Sequence, residues 1–308
     1  MDGGDSLGPE IFIEEMMLLM GQTLAKMEID DHYQVIRQIG AGTFGTVQLV
    51  RHRQQGTLMA LKLMEKGRTE VRGFLREYST GLFLSPHPFI TSAFGIAFES
   101  SEHYAFMQEF APMGDLFDLI QPLVGIPQAA AKRCGLQLSL ALDHLHQRGL
   151  VHRDVKPDNV LLFDRECRHV KLSDFGLVRR EGLRLRPGSD QGPYAPPEIV
   201  PGVRGARVAR PEDAWAFGVL IYVLLTGNFP WERATDLDPR FQAFKAWRNR
   251  PEGLQPPPEW AGVAPGACRM LKGLLAFDPK ERAPVKVVRD HIRERWAVGA
   301  CTEGPISG

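Results

Sequence analysis

The chain has few cysteines, and the four that it has lie far apart in the sequence. Cys134, Cys167, Cys268 and Cys301 form no C-x-x-C pair, so neither a zinc site nor a disulfide framework is predicted. Unpaired, reduced thiols are typical of the cytosol and the nucleus. We therefore predict a cytoplasmic protein.

An excess of charge of either sign is also missing. Lysine and arginine together number 37, and aspartate and glutamate also number 37. A balanced chain has no overall field that would attract nucleic acid or an anionic membrane, so neither partner is predicted. Hydrophobic residues make up 44% of the 308 residues and charged residues 24%, which is typical of a globular protein with a sizeable core.

Long hydrophobic runs are absent as well. The unbroken apolar run Met16–Met20 is far short of the about 20 residues that cross a bilayer, so no membrane span is predicted. The N-terminus lacks the basic start and the cleavage site of a signal peptide. Asp2 stands where N-myristoylation requires glycine, so this modification is not expected.

Residues Glu10–Met27 have the periodicity of an amphipathic helix, although Gly21 weakens it. Its apolar residues recur at spacings of three and four: Ile13, Met17, Met20, Leu24 and Met27. Such a helix either packs on the domain that follows, which is the more common case, or is presented to a separate partner.

Short strands are predicted first and helices afterwards. The predicted strands are His32–Ile39, Thr46–Arg51, Leu58–Leu63, Phe94–Phe98 and Tyr104–Glu109, with one helix over about Arg68–Leu84. Helices such as Gln128–Arg148, ended by Gly149, and Ala214–Leu225 follow. This order predicts an α+β protein of two lobes. We assign residues 1–30 to an N-terminal extension with a short amphipathic helix, 31–110 to a small, mainly antiparallel β N-lobe with one helix, 111–298 to a larger, mainly helical C-lobe and 299–308 to a short tail.

The strongest motif is His152-Arg153-Asp154-Val155-Lys156-Pro157-Asp158-Asn159, followed by Asp174-Phe175-Gly176. Asp154 offers a carboxylate to a hydroxyl proton, and Lys156 can neutralise phosphate oxygens. Asn159 and Asp174 can hold Mg²⁺ through hard oxygen ligands. Phosphoryl transfer requires these groups because it depends mostly on positioning and on neutralising charge. His152 is interpreted as a structural residue that shapes the loop.

A glycine-rich segment, Ile39–Val47, lies between the first two predicted strands and has the pattern G-x-G-x-x-G. Such glycines let backbone amides approach phosphates. Alone the pattern is weak, since it arises by chance about 0.3 times in such a chain. A strand, not a helix, follows it, which favours a phosphate-covering hairpin over a dinucleotide site. The next strand carries Lys62 among apolar neighbours, and its buried ammonium would need a counter-charge, for which Glu77 is a better candidate than Glu70.

Together these motifs resemble those of eukaryotic protein kinases over about residues 31–296. Lys156, two residues after Asp154, is similar to the serine/threonine branch. The resemblance implies a bilobal protein-kinase fold, ATP and Mg²⁺ as cofactors, and transfer of the γ-phosphate to Ser/Thr hydroxyls of protein substrates. It implies catalytic roles for Lys62, Glu77, Asp154 and Lys156 and metal binding by Asn159 and Asp174.

The same resemblance implies a nucleotide pocket. Ile39, Val47, Ala60 and Leu161 would enclose the adenine, the backbones of Glu109 and Ala111 would bond its edge, and Gln108 would be a polar gatekeeper. The nucleotide-binding set is Ile39, Gly40, Ala41, Gly42, Thr43, Phe44, Gly45, Thr46, Val47, Ala60, Lys62, Gln108, Glu109, Ala111 and Leu161. Two scaffold roles are also implied: Asp213 would brace the catalytic loop, and Glu198 would pair with Arg282.

A closer resemblance is to the Src-homology-3-domain-binding kinase family. It is carried by mostly non-catalytic stretches: Phe74-Leu75-Arg76-Glu77, Gln108-Glu109-Phe110-Ala111-Pro112, Gly114-Asp115-Leu116, Leu162-Phe163-Asp164-Arg165-Glu166-Cys167 and Leu225-Thr226-Gly227-Asn228-Phe229-Pro230-Trp231. A tail with P-x-x-P ligands is absent, so we do not expect this chain to bind Src-homology-3 domains.

Several positions depart from the usual kinase pattern. Pro196-Pro197-Glu198 replaces A-P-E, and Gln191 stands where a threonine is usual. Ser189 carries the only side-chain hydroxyl between Phe175 and Tyr194, so we expect that the segment needs no phosphate, although Arg153 could bind one. Gly81, one turn after Glu77, would loosen its helix by about 0.5–1 kcal/mol relative to alanine, which makes helix position a possible control point.

Two other functions stay open at this point. One is a pseudokinase scaffold that binds nucleotide or partners without turnover, although the intact set of Lys62, Glu77, Asp154, Asn159 and Asp174 favours an active enzyme. The other is a metabolite kinase on the same fold. For a protein substrate, Asp115 and Asp158 favour basic residues before the acceptor only weakly.

Overall fold

The N-lobe is built on one sheet of six strands. They are β1 (Ala25–Lys26), β2 (Tyr33–Gly42), β3 (Gly45–His52), β4 (Leu58–Glu65), β5 (Ala93–Glu99) and β6 (His103–Gln108). Their order is β1-β5-β6-β4-β3-β2, and all neighbours pair antiparallel except β1, which runs parallel to β5. The computed structural model describes residues 8–42, 45–184, 192–199, 207–249 and 255–299. All five predicted strands are present, with ends shifted by a few residues, and β1 is an addition.

One helix, α3 (Val71–Leu84), packs on this sheet through aromatic side chains. Phe74 stacks on Tyr104 with ring centroids 5.2 Å apart, and the Tyr78 hydroxyl donates to the Phe94 carbonyl at 3.0 Å. The helix begins at Val71 instead of the predicted Arg68, because Arg68 N–H closes a turn on the Glu65 carbonyl (3.1 Å). These contacts fix the helix that carries Glu77.

The N-terminal helix, α1 (Pro9–Thr23), packs against α3 and buries Ile13 and Met17. It was predicted to continue to Met27, and this was wrong. Leu24 is extended, and β1 pairs with Phe98–Glu99 of β5, so strand pairing takes over from helix propensity. A short helical turn, α2 (Ile29–His32), then leads into β2.

The C-lobe is mainly helical, as predicted. Its helices are α4 (Gln128–Gln147), α5 (Arg210–Thr226), α6 (Pro239–Arg248) and α7 (Pro265–Leu274), and four short strands lie among them: β7 (Leu150–Val151), β8 (Val160–Leu162), β9 (Val170–Leu172) and β10 (Arg179–Arg180). One apolar face of α4 is fully buried, and Gly149 just beyond the helix has a left-handed backbone (φ +67°). The residues of this face are Cys134, Leu138, Ala141, Leu142 and Leu145.

Helix α5 forms the centre of the C-lobe. Every residue from Asp213 to Leu225 is buried, which is typical of a helix surrounded by other elements. The helix begins at Arg210, before the predicted Ala214, because Pro211 suits the first turn and the Glu212 side chain accepts from the Ala209 N–H (2.8 Å). Among the described residues, no helix is both long and apolar enough to cross a membrane.

The two helix-ending glycines, Gly149 and Gly227, allow a test of packing at the end of α5. Both have a left-handed backbone (φ +67° and +65°), but a Cβ at Gly149 would meet open space, whereas one at Gly227 would collide with the Gln121 carbonyl. Gly149→Ala should therefore lower the free energy of unfolding by about 1 kcal/mol. Gly227→Ala should lower it by about 3 kcal/mol or more, because the loop after Ile120 must move. Chemical denaturation measures both; equal losses would contradict the packing described.

Candidate active site

The two lobes enclose a cleft of about 440 Å³. It is lined by most of the residues predicted to bind nucleotide: Ile39, Gly40, Ala41, Gly42, Gly45, Val47, Ala60, Lys62, Gln108, Glu109, Ala111 and Leu161. Asp154, Lys156, Asn159 and Asp174 line the same cleft from the C-lobe. Thr46 is not among the lining residues, and Thr43 and Phe44 lie outside the described part of the chain.

Lys62, on β4, is held by two carboxylates. Its ammonium nitrogen lies 2.5 Å from Glu77 Oε1 and 3.4 Å from Asp174 Oδ2. The Lys62 and Glu77 side chains are 10% and 4% exposed, so this pair is shielded from water. Glu77, and not Glu70, is therefore the counter-charge in this structure. The pair connects the sheet to α3, and Asp174 connects it to the C-lobe.

The charge state of this group follows from its neighbours. Burial would lower the pKa of Lys62, but the carboxylates of Glu77 and Asp174 outweigh burial and raise the pKa above its ordinary value. Burial would raise the pKa of Asp174, but the Lys62 ammonium and the Gly176 N–H lower it below the ordinary value. Lys62 is thus protonated and Asp174 ionised at neutral pH.

The catalytic-loop residues contact one another around Asp154. Lys156 Nζ lies 3.0 and 2.9 Å from the two Asp154 carboxylate oxygens. Asn159 Nδ2 donates to the Asp154 backbone carbonyl and to its Oδ2, both at 2.8 Å. Because Asn159 uses its NH₂ group on Asp154, its amide oxygen is the atom that can ligate a cation.

Asp213, which is fully buried on α5, supports the catalytic loop through hydrogen bonds. Its carboxylate accepts from the backbone N–H groups of His152 (2.8 Å) and Arg153 (2.7 Å), and it contacts His146 Nε2 at 2.7 Å. Arg153 has a left-handed backbone (φ +71°), a conformation that costs a non-glycine residue about 1–3 kcal/mol. The buried carboxylate stabilises it. His152 is also buried and contacts the Ser173 carbonyl through Nε2 (3.1 Å), as expected of a structural residue.

The Asp174-Phe175-Gly176 turn is strained in the same way. Asp174 has φ +63°, and its Oδ1 accepts from the Gly176 N–H at 3.2 Å. A Cβ at Gly176 would stand 3.0 Å from Glu77 Oε2, so a side chain there would press on the Lys62–Glu77 pair. Glycine at this position lets the acidic turn lie directly beside that pair.

The glycine-rich hairpin uses its glycines for two different reasons. Gly45 has φ +141°, and a Cβ there would collide with the Leu63 carbonyl of β4. Its smallness therefore serves packing within the sheet. At Gly42, which lines the cleft, a Cβ would have no atom of the described residues within 4 Å apart from those of its chain neighbours.

The segment that joins the lobes contains an ion pair that the sequence analysis missed. Lys171 Nζ lies 2.6 and 2.8 Å from the Glu109 carboxylate oxygens, and Glu109 Oε1 also accepts from the Ser92 N–H at 2.6 Å. The Glu109 N–H donates to the Ser92 carbonyl (3.0 Å), so its own carbonyl is the backbone group that would bond an adenine. Nothing in the sequence spacing pairs residue 109 with residue 171.

Other residues of the cleft were also missed as site residues. Gly114, Asp118 and Ser173 line it in addition to the predicted set, and so do Asp115 and Asp158, which were expected to favour basic residues before the acceptor. Burial, together with the nearby carboxylates of Asp118 and Asp158, raises the pKa of Asp115. Ser173 directly precedes Asp174, so adjacency to this motif was the available signal for it.

Glu198 and Arg282 form the second scaffold contact. Arg282 Nη1 and Nη2 donate to the two Glu198 carboxylate oxygens at 2.7 and 2.9 Å, a bidentate pair. This geometry fixes the end of the Pro196-Pro197-Glu198 segment. Ser189 and Gln191, about which the sequence raised questions, lie outside the described residues.

Comparison with known proteins identifies the family. The family described as "Protein kinase domain" matches residues 33–293. The chain belongs to the protein kinase family. This kinase is 48% identical over 286 residues to "Serine/threonine-protein kinase SBK1" of Danio rerio, covering 92% of this chain and 74% of that protein. It is 49% identical over 284 residues to the protein of the same name in Mus musculus, covering 91% and 68%. With "Serine/threonine-protein kinase SBK2" of Homo sapiens it shares 44% over 303 residues, covering 94% and 87%.

These similarities confirm the predicted bilobal kinase fold and the resemblance to the Src-homology-3-domain-binding kinase family. The two halves of the kinase, a six-stranded sheet and a helical lobe, meet at the cleft described above.

Gly81 on α3 lies next to Phe175 of the Asp174-Phe175-Gly176 turn. A substitution there tests whether α3 must move for activity. A Cβ there would lie 3.5 Å from Ala93 Cβ and 3.6 Å from Phe175 Cδ2, which is ordinary contact. Gly81→Ala should raise the free energy of unfolding by about 0.5–1 kcal/mol and leave kinase activity equal or higher, because α3 stiffens in its present position. Denaturation and a kinase assay check this; a stabilised variant with clearly reduced activity would show that α3 must move.

Asp213→Asn should lower the free energy of unfolding by about 3 kcal/mol near neutral pH, because a buried anion with three partners is lost. Burial would raise the pKa of Asp213, but His146 and the Arg153 N–H lower it below its ordinary value. The stabilisation is therefore present above the unfolded pKa of about 4 and is lost as the pH falls through the folded value. The difference between wild type and variant should shrink as the pH is lowered from about 5 towards 2.

The matched control for this change is Asp236→Asn, which removes an exposed aspartate paired with Lys245 at 2.8 Å. Its effect should stay within about 0.5 kcal/mol. Denaturation curves across the pH range give all three stabilities. If the difference in free energy of unfolding between wild type and Asp213→Asn increased at low pH, the role given to Asp213 would be contradicted.

Proposed function

We propose that this kinase transfers the γ-phosphate of Mg·ATP to Ser/Thr hydroxyls of protein substrates. One observation carries the proposal: Lys62, Asp154, Lys156, Asn159 and Asp174 line a single cleft, and Glu77 holds Lys62 in place there. Phosphoryl transfer requires a fixed cation, a proton acceptor and metal-binding oxygens around one triphosphate. The cleft offers each of these groups.

The cleft also suits the nucleotide in size and surface. Its volume of about 440 Å³ is in the usual range of small-molecule sites. Ala60 and Leu161 provide apolar surfaces for an adenine, and the lack of a side chain at Gly42 permits close approach by phosphates. The carboxylate of Asp174 and the amide oxygen of Asn159 are hard oxygen donors that suit Mg²⁺.

Each residue has a defined task in this mechanism. Lys62 would bind the α- and β-phosphates, and Glu77 keeps its ammonium from turning away. Asn159 and Asp174 would hold Mg²⁺, which when bound neutralises the phosphate oxygens. Asp154 would orient the acceptor hydroxyl and receive its proton, a contribution of about 10²–10⁴ in rate. Lys156 contacts Asp154 in this structure, and it would neutralise part of the negative charge of the transferred phosphoryl group.

The acceptor specificity follows from the relatives and from Lys156. The relatives reported above carry the name serine/threonine-protein kinase, and Lys156 stands where that branch places a lysine. This chain is accordingly a serine/threonine protein kinase that acts on protein substrates. We assign the protein to the cytoplasm because its cysteines are widely spaced in the sequence, as is typical of reduced thiols. Binding to Src-homology-3 domains is not part of the proposal.

Asp154→Ala should lower kcat by about 10³, because the acceptor hydroxyl loses its proton acceptor. Lys62→Met should also abolish most activity, because Glu77 and the phosphates lose their shared cation. The measurement is transfer of labelled γ-phosphate to a protein substrate, with identification of the phosphorylated residue type. Removal of divalent cations by a chelator should stop the wild type.

The matched control is Lys26→Met, a lysine with an 84% exposed side chain outside the cleft, which should retain wild-type activity. Equal transfer by wild type, Asp154→Ala and Lys62→Met would point to a contaminating kinase. The chain would then be a scaffold that binds nucleotide without turnover. Transfer to small molecules but to no protein would instead indicate a metabolite kinase.

A further inference from the structure

Three arginines from three parts of the kinase interact electrostatically. Arg76 lies on α3, Arg153 in the catalytic loop and Arg179 at the start of β10. Burial lowers the pKa of Arg179, and the charges of Arg76 and Arg153 lower it further, whereas Glu10 opposes them. Like charges repel, so a nearby carboxylate stabilises this group.

Glu10, in the first turn of α1, supplies a negative charge to this group. Arg76 Nη1 donates to Glu10 Oε1 at 2.8 Å, and the two side chains are only 16% and 18% exposed. Two other carboxylates are near. Glu14 lies 3.6 Å from Arg76 but is half exposed, and Glu212 lies 3.6 Å from Arg153.

Helix α1 is anchored so that Glu10 stays in place. Ile13 and Met17 are buried, and the rings of Phe12 and Phe83 are 5.6 Å apart. Beyond the helix, β1 pairs with β5, which holds the other end of the segment. The position of Glu10 is thus fixed by packing at both ends of α1.

Each of the three arginines either adjoins a functional residue in the sequence or contacts the segment that follows Asp174. Arg76 directly precedes Glu77 on α3. Arg179 Nη1 donates to the carbonyls of Gly176 (2.9 Å) and Val178 (2.7 Å). Arg153 Nη1 donates to the Leu177 carbonyl at 3.3 Å and directly precedes Asp154. A displacement of Arg76 would move α3 and, with it, Glu77.

We propose that Glu10 is a positioning residue of this kinase: its carboxylate binds Arg76 on α3, and so keeps Glu77 on Lys62 without any phosphate added to the chain. The inference rests on the proposed phosphotransfer function. In kinases switched by loop phosphorylation, a phosphate on the chain binds arginines and orders the site. Here the Glu10 carboxylate of the N-terminal helix binds an arginine of α3 in a comparable way.

The test compares Glu10→Gln with Glu15→Gln in the full chain. Glutamine keeps the size of the side chain but removes the charge, and Glu15 is an exposed glutamate on the same helix. All proteins are treated with phosphatase, and mass spectrometry verifies that they carry no phosphate. Wild type and Glu15→Gln should remain equally active. Glu10→Gln should lose kcat about tenfold, because a small displacement of reacting groups has a large effect on rate.

Two further readouts separate positioning from folding. The thermal midpoint of Glu10→Gln should fall by no more than about 4 °C, so that the variant is folded in the assay. The exchange Glu10→Arg with Arg76→Glu restores an opposite-charge pair and should return kcat to within about threefold of wild type, although each single change lowers it.

The outcomes distinguish this inference from the proposed function. If wild type transfers no phosphate under any condition, the proposed function fails. If wild type is active only before phosphatase treatment, or if Glu10→Gln matches Glu15→Gln, the role of Glu10 is overturned while the kinase assignment stands. If the activity lost in Glu10→Gln is fully explained by the fraction of that variant that is unfolded, the role of Glu10 is also overturned.

Discussion

The pair of Lys62 and Glu77 is the interaction on which the arrangement of the site depends. Both side chains are nearly fully buried, and taking two charges out of water costs several kcal/mol that their attraction only partly returns. Such a pair contributes little to the free energy of unfolding, but it fixes the relative positions of the two elements that carry it. It ties β4 to α3, and through the contact of Lys62 with Asp174 it also ties both to the C-lobe.

A second constraint acts from the C-lobe side. Arg153 and Asp174 both adopt left-handed backbone conformations that non-glycine residues avoid. The buried carboxylate of Asp213 stabilises the first through two backbone N–H groups, and the Gly176 N–H is bonded within the second turn. The functional side chains are therefore held by a rigid helix and by local hydrogen bonds.

The sequence predicted the residues that act within short motifs, because a motif fixes neighbours along the chain. Asp154, Lys156 and Asn159 could be assigned in this way, and so could Lys62 with Glu77 once the strand and helix were assigned. Contacts between distant residues could not be read from spacing: Glu109 with Lys171, and Glu10 with Arg76. The end of α1 was missed for the same reason, since its continuation as β1 depends on an edge of β5 far along the chain.

The parallel pairing of β1 with β5 has a practical consequence for anyone who shortens this protein. The family match begins at residue 33, and a truncation at that point would delete α1 and β1 together. The backbone of β5 would then become an open strand edge, a surface on which proteins tend to associate. The apolar side of α3 around Leu75 would lose its cover at the same time. Aggregation of a shortened protein would thus reflect the missing segment and not poor folding of the lobes.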